Sequence, residues 1–237
     1  MWITAIVLGS IGAADLLRPA HGASWGIRVA RIAIGAVLAG LLISGSGYGY
    51  GYGWVWVAVV VAVIAVWVVA TTLDNAGSWP AAGLAVVGIA GLASAPVLPT
   101  PDGWLTQWYT SLPYALAQAT PFEHAALIAA YSVFLLESAN IVVRGALSTT
   151  DVRIQRSEMR IKGGRLIGPI ERIFLFWMAL SGQLLAIGAI VAAKGILRYP
   201  EISEREGKKS RGALAEYVLI GSLVSWGLAL IVVPLLA

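Results

Sequence analysis

The sequence predicts an all-α chain, a polytopic transmembrane helical bundle of six to seven spans. Three observations carry that reading. Hydrophobic residues make up 59% of the 237 and charged residues only 12%, whereas a soluble domain uses about 25% charged residues to wet its surface. The apolar residues come in blocks of roughly 20, the length a helix needs to cross about 30 Å of hydrocarbon. The run from Val55 to Ala70 is apolar at nearly every position, which is not the ten-residue alternation of a barrel strand.

The elements follow in order. Met1 to Leu17 is apolar and closes on Asp15, Arg18 and Pro19. It lacks the basic start and small-residue cleavage site of a signal peptide, so it reads as a short first span or half-helix. Arg28 to Ser44 is the second span and Trp54 to Thr72 the third. Between them lies Gly45-Ser46-Gly47-Tyr48-Gly49-Tyr50-Gly51-Tyr52-Gly53-Trp54. Its glycines disfavour helix and its aromatics favour the headgroup layer. It reads as an interfacial turn, with an aromatic gate as the functional alternative.

Trp79 to Leu98 is the fourth span, rich in the small residues that let helices approach closely. Pro99 to Thr120 carries Trp104, Trp108, Tyr109 and Tyr114 and is expected to lie on the membrane surface. Phe122 to Leu147 is the fifth span. Leu166 to Leu197 is too long for one perpendicular crossing. It is either a hairpin or re-entrant loop turning near Ser181-Gly182, or one tilted helix. Ala213 to Ala237 is the last span. The whole chain, 1–237, reads as a single integral membrane domain, with N-terminal spans over 1–120 and a C-terminal module over 121–237.

Charge sets the expected topology. The net charge of +4 sits in loops. The 18–31 connection holds three arginines and the 148–165 connection five basic residues, while 45–53 and 99–120 hold no Lys or Arg. The positive-inside rule then places the first and fifth connections in the cytoplasm and the N-terminus outside. The segment 198–211 is also basic, which favours a return of 166–197 to the same side.

Ionisable groups at membrane depth cost about 2.5–3.5 kcal/mol each on insertion scales and persist where they pair or line a wet cavity. That argument selects the candidate binding residues. Glu137, Asn140 and Arg144 share one face of the fifth span by their spacing, beside a second stripe of His124, Tyr131 and Ser138. Arg165, Glu171 and Arg172 stand at the start of the sixth stretch, where helix amides favour anions. Gln183, Lys194, Arg198 and Glu201 follow, then Glu216 in the last span, a candidate partner for Lys194 or Arg198.

Other chemistries lack their motifs. The chain has no cysteine, which excludes thiolate metal sites and disulfides. No phosphate-binding Gly-rich loop and no H-E-x-x-H occurs, and His21 and His124 are the only histidines. No catalytic residue, metal or cofactor is therefore assigned, and no nucleic-acid partner.

One resemblance stands beside these readings. It rests on Gly164-Arg165-Leu166-Ile167-Gly168-Pro169-Ile170-Glu171-Arg172, then Gly182-Gln183, then Ala192-Ala193-Lys194-Gly195-Ile196-Leu197-Arg198, Glu201, and Ala215-Glu216-Tyr217-Val218-Leu219-Ile220-Gly221-Ser222. Over about 164–222 this order resembles the C-terminal module of a group of uncharacterised bacterial polytopic membrane proteins of unassigned function. The resemblance implies a multi-pass protein of the bacterial inner membrane and singles out the same charged residues. It supplies no reaction, and Gly195 stands where that module has a serine.

Three functions fit. The first is a small transporter or channel-like protein for an anionic small molecule or lipid phosphate. The second is a structural or assembly subunit, as a homo-oligomer or within a larger membrane complex. The third is a membrane-embedded enzyme on a lipid-linked phosphate, with Glu137 or Glu216 as base. The bilayer is the one partner common to all three.

Overall fold

The structure is a computed structural model. It describes the chain except residues 20–21, 23, 49–52, 73–76, 95–98, 150–163, 204–207 and 237, and except the side chains of 149, 164–166, 197–203 and 208–214. Among the described residues every regular element is a helix. Three are long and apolar enough to cross a membrane, at Trp25–Gly45, Gly53–Ala70 and Ala215–Leu235. A fourth candidate arises if Phe122–Leu136 and Ser138–Ala146, broken at Glu137, count as one span. The chain divides into two compact units, Met1–Ser138 and Ala139–Ala237.

The first unit is built around α1 (Trp2–Leu16), which is buried nearly all round. A helix hydrophobic on every side belongs in the interior of a bundle or a membrane. Around it pack α2 (Trp25–Gly45), α3 (Gly53–Ala70), α4 (Trp79–Ala93) and α7 (Phe122–Leu136). Three of these starts have a local cause. Ser24 caps α2 by accepting the Ile27 amide, Pro80 sits in the first turn of α4, and Pro121 leads into α7 with extended backbone.

Small residues set the closest approach. A Cβ added at Gly12 would stand 2.9 Å from the Phe134 backbone nitrogen, and one at Gly9 would stand 3.1 Å from the Ala130 Cβ. Together with the Trp2–Phe122 ring contact at 4.8 Å, these pairs show α1 and α7 running parallel and in register. The connections meet at matching ends. Ser46 O accepts the amides of Asp102 and Gly103, both at 3.1 Å, and the Tyr48 hydroxyl donates to Pro99 O. The start of the Gly/Tyr segment is thus a turn bound to the 99–103 loop. Tyr50 and Tyr52, on which a gate would depend, lie outside the described residues. The 99–120 segment forms two short helices, α5 (Trp104–Thr110) and α6 (Ala115–Ala119), with Trp104, Trp108 and Leu116 exposed.

The second unit contains most of α8 (Ser138–Ala146), then α9 (Gly164–Leu180), α10 (Leu184–Ser203) and α11 (Lys208–Leu230). The 166–197 stretch is a hairpin, not one tilted helix. It turns at Ser181-Gly182, where Gly182 takes φ +70°, a backbone region that other residues adopt only with strain.

Both units turn apolar side chains outward and bury several polar ones. On α9, Ile170, Phe174 and Trp177 are exposed while Arg172 and Phe176 are buried. On α11, Leu219 and Leu223 face out and Ser222 and Ser225 face in. On α2, Ile34, Val37 and Leu41 are exposed and Arg31 is buried. Contiguous outward apolar faces of this kind mark contact with lipid or a partner.

Candidate functional site

The hairpin brings the charges of the C-terminal unit together. Glu171 on α9 and Lys194 on α10 lie at nearly equal distances from the Gly182 turn, so they meet across the two arms. Lys194 Nζ donates to Glu171 Oε2 at 2.6 Å. The other carboxylate oxygen, Oε1, accepts Trp226 Nε1 from α11 at 2.7 Å. The ammonium also stands 5.3 Å from the Trp226 ring centroid, within cation–π range. Three helices thus close on one acid–base–indole cluster. Its charged side chains stay partly open, 10% exposed for Glu171 and 24% for Lys194.

Arg172 follows Glu171 and, at 100° per residue, points to another neighbour. It is 2% exposed. Its Nη1 donates to Ser225 Oγ at 3.3 Å, and its Nη2 donates to Asn140 Oδ1. The guanidinium fork suits two such partners. The two clusters share adjacent residues of α9 and adjacent residues of α11, forming one polar seam through the unit.

Of the eleven candidates, the structure brings four into this seam: Asn140, Glu171, Arg172 and Lys194. Glu137 belongs to the first unit, half-buried at the break that ends α7. Arg144 is exposed and donates from Nε to Asn140 O at 3.3 Å. Gln183 is exposed in the turn before α10, and Glu216 is exposed on α11. The carboxylate that Lys194 finds is Glu171. The side chains of Arg165, Arg198 and Glu201 lie outside the described residues.

A second cluster, in the first unit, escaped the sequence reading. Asp15 near the end of α1 and Arg31 in α2 are both 0% exposed. Arg31 Nη2 donates to Asp15 Oδ1 and its Nε to Ala14 O at 3.2 Å. Asp15 Oδ2 accepts Trp67 Nε1 at 2.9 Å and Ser138 Oγ at 2.6 Å. Sequence reasoning took Asp15 as the end of a span and Arg31 as a loop charge. The usable signal was Arg31's position: apolar residues flank it on both sides, inside a helix that starts at Trp25.

Two cavities of the first unit are also defined. One, about 30 Å³, has Glu123, Tyr48 and Thr100 in its wall. The other is an apolar groove of about 260 Å³ between α3 and α4. Among the described residues no three His, Asp or Glu side chains gather as metal ligands. Chemically, the seam offers a rotatable cation, a carboxylate that can exchange partners, and a buried guanidinium. No family model, curated protein or solved structure matches the chain.

Proposed function

We propose that this chain is a multi-pass protein of the bacterial inner membrane that acts as a small transporter or channel-like protein. Its cargo is an anionic small molecule or a lipid phosphate. The observation that carries this reading is the Glu171–Lys194 pair, an ion pair set among outward-facing apolar helices yet left 10% and 24% open. The opening leaves room for a second partner to reach the ammonium.

The geometry supports an exchange of partners. An incoming anion takes the place of Glu171 Oε2 on Lys194 Nζ. Glu171 keeps the Trp226 N–H, so its carboxylate is not stranded, and the indole face stays beside the ammonium. Departure of the anion restores the pair. Lysine suits this role because its ammonium is a point charge with three rotatable donors on a flexible stem.

Six or seven spans follow if the shorter apolar helices, Trp2–Leu16, Trp79–Ala93 and Leu184–Ile196, join the longer candidates. A 15-residue helix is only about 22 Å long, and bilayers accommodate short spans by local thinning or snorkelling. The parallel course of α1 and α7, and the union of the 45–48 and 99–103 connections, support the alternation expected from loop charge. The likeness of 164–222 to uncharacterised bacterial membrane proteins points to the same compartment.

The test is uptake of a phosphate-bearing anion by vesicles reconstituted with the full chain. Lys194→Gln is expected to abolish uptake while expression and folding persist; unchanged flux sinks the proposal. A second reading, an assembly subunit of a larger complex, is favoured by the wide outward apolar faces of α2 and α3. It would prevail if a partner co-purified at fixed stoichiometry from native membranes and Lys194→Gln left the chain's function intact.

A further inference from the structure

We infer that Glu171 is a proton site coupled to the anion: each anion that binds Lys194 brings one proton onto Glu171, so the cargo is held as an anion–proton pair. This rests on the anion reading of Lys194 proposed above, and the closing experiment separates the two.

Charge balances in the closed pair, where Lys194 and Glu171 carry one charge of each sign, 2.6 Å apart. An anion taking the place of Oε2 leaves two negative groups and one ammonium. Glu171 stays at the site, because Trp226 Nε1 holds Oε1 at 2.7 Å. The indole N–H is a donor but brings no positive charge. The carboxylate and the bound anion therefore stand within the roughly 4–6 Å over which like charges disfavour one another.

Among the described residues, no second cation faces Glu171 to make up the deficit. Lys194 is the one charged side chain described on α10. On α11, the residues from 217 to 230 include one titratable group, Tyr217, and no charge. Glu216 is exposed one position further back and has the wrong sign. The Val233–Leu235 turn, which also packs on α9, has no titratable side chain. Arg172, next to Glu171 on α9, is turned to Asn140 and Ser225. Arg144 on α8 is exposed and donates to Asn140 O. The side chains of Arg198 and Glu201 lie outside the described residues.

A charge without a counter-charge among apolar helices is neutralised rather than kept. The proton comes from solvent through the opening beside Lys194, which is 24% exposed. An O–H bond forms at Oε2, and only the hydrogen bond from Lys194 Nζ is given up. Protonated Oε2 is itself a donor and can turn to the anion that displaced it, while Oε1 keeps the indole N–H. When the anion leaves, the proton returns to solvent and the ion pair re-forms. By linkage, the proton strengthens anion binding by the same factor as the anion strengthens proton binding.

The experiment titrates the purified full chain with two phosphodiesters, dimethyl phosphate and dihexanoyl phosphatidylglycerol. Each keeps one negative charge at every pH used, so a proton taken up belongs to the protein. The two esters distinguish a free phosphate from a lipid headgroup. Calorimetry in two buffers of unlike ionisation heat counts the protons. About one proton per anion is expected, with affinity weakening by about tenfold per unit rise in pH. Glu171→Gln is neutral from the start, so it should take up none and lose the pH dependence. The count in the unaltered chain stands even if that variant fails to fold. Binding of neither ester would overturn the anion reading and this inference with it. Binding without proton uptake would overturn this inference and leave the anion reading standing. Uptake that persists in Glu171→Gln would move the proton to another group and overturn the assignment to Glu171.

Discussion

The two units carry clusters of the same composition in the same chain order. In the first, Asp15, Arg31 and Trp67 come from three consecutive helices; in the second, Glu171, Lys194 and Trp226 do. Each carboxylate takes a cation on one oxygen and an indole N–H on the other. They differ in seal and in the kind of cation. Asp15 and Arg31 are 0% exposed. The guanidinium there is fixed by a further bond to Ala14 O, and Ser138 adds a third donor to the carboxylate. Glu171 and Lys194 are partly open, and the lysine is a movable point charge where the arginine is a rigid fork. A sealed pair of this kind specifies how helices assemble. An open pair with a mobile cation can change partners and so can work.

Mutations should separate these roles. The largest effect is expected at Asp15→Leu, which strands Arg31 in the interior and should destabilise the fold by about 3–5 kcal/mol. Unfolding in mixed micelles would show it, and changing Arg31 to Met in the same chain should recover much of the loss. If Asp15→Leu alone proves harmless, the contrast fails. Next comes Gly12→Leu, which forces side-chain atoms against the α7 backbone and should cost about 1–3 kcal/mol by the same assay. Lys194→Gln, whose amide can still donate to Glu171, should cost less stability than Asp15→Leu, and on the proposed function it should abolish anion uptake. A stability loss matching that of Asp15→Leu would show that the open pair is structural after all.

The smallest effect concerns Tyr48. Burial, then the nearby Glu123 and Asp102 carboxylates, raise its phenol above the ordinary 10.0. A raised value means that the folded state holds the proton more tightly than the unfolded chain. Its contribution is intact below pH 10 and is lost as pH climbs through the raised value. Tyr48→Phe should flatten that alkaline decline in melting temperature, and an unchanged pH profile would refute the assignment.

Much of the helical plan was legible because its signal is local. The apolar continuity of Val55 to Ala70 marks α3 whatever it packs against, and Ser181-Gly182 marks the hairpin turn through glycine's backbone freedom. Glu171, Arg172, Asn140 and Lys194, which the structure brings into one seam, stood out in the sequence too, since a charge or amide among apolar residues is visible as a cost. Partner choice was not. Lys194 pairs with Glu171 and not Glu216 because two arms fold about Gly182, a fact of packing register that no local pattern carries. Asp15 and Arg31 were hidden for a related reason. Each lies within two turns of a helix end, where a charge normally reaches water, and only the enclosure by α3 and Ser138 seals them.

The most direct test of the open pair is anion affinity in Glu171→Gln. Short-chain phosphatidate binding to the purified full chain would be compared with that of the unaltered protein. If Glu171 is the competitor that an anion displaces from Lys194, its neutralisation should tighten binding on the order of five-fold, a gain that misfolding cannot produce. Weaker or unchanged binding would contradict the account.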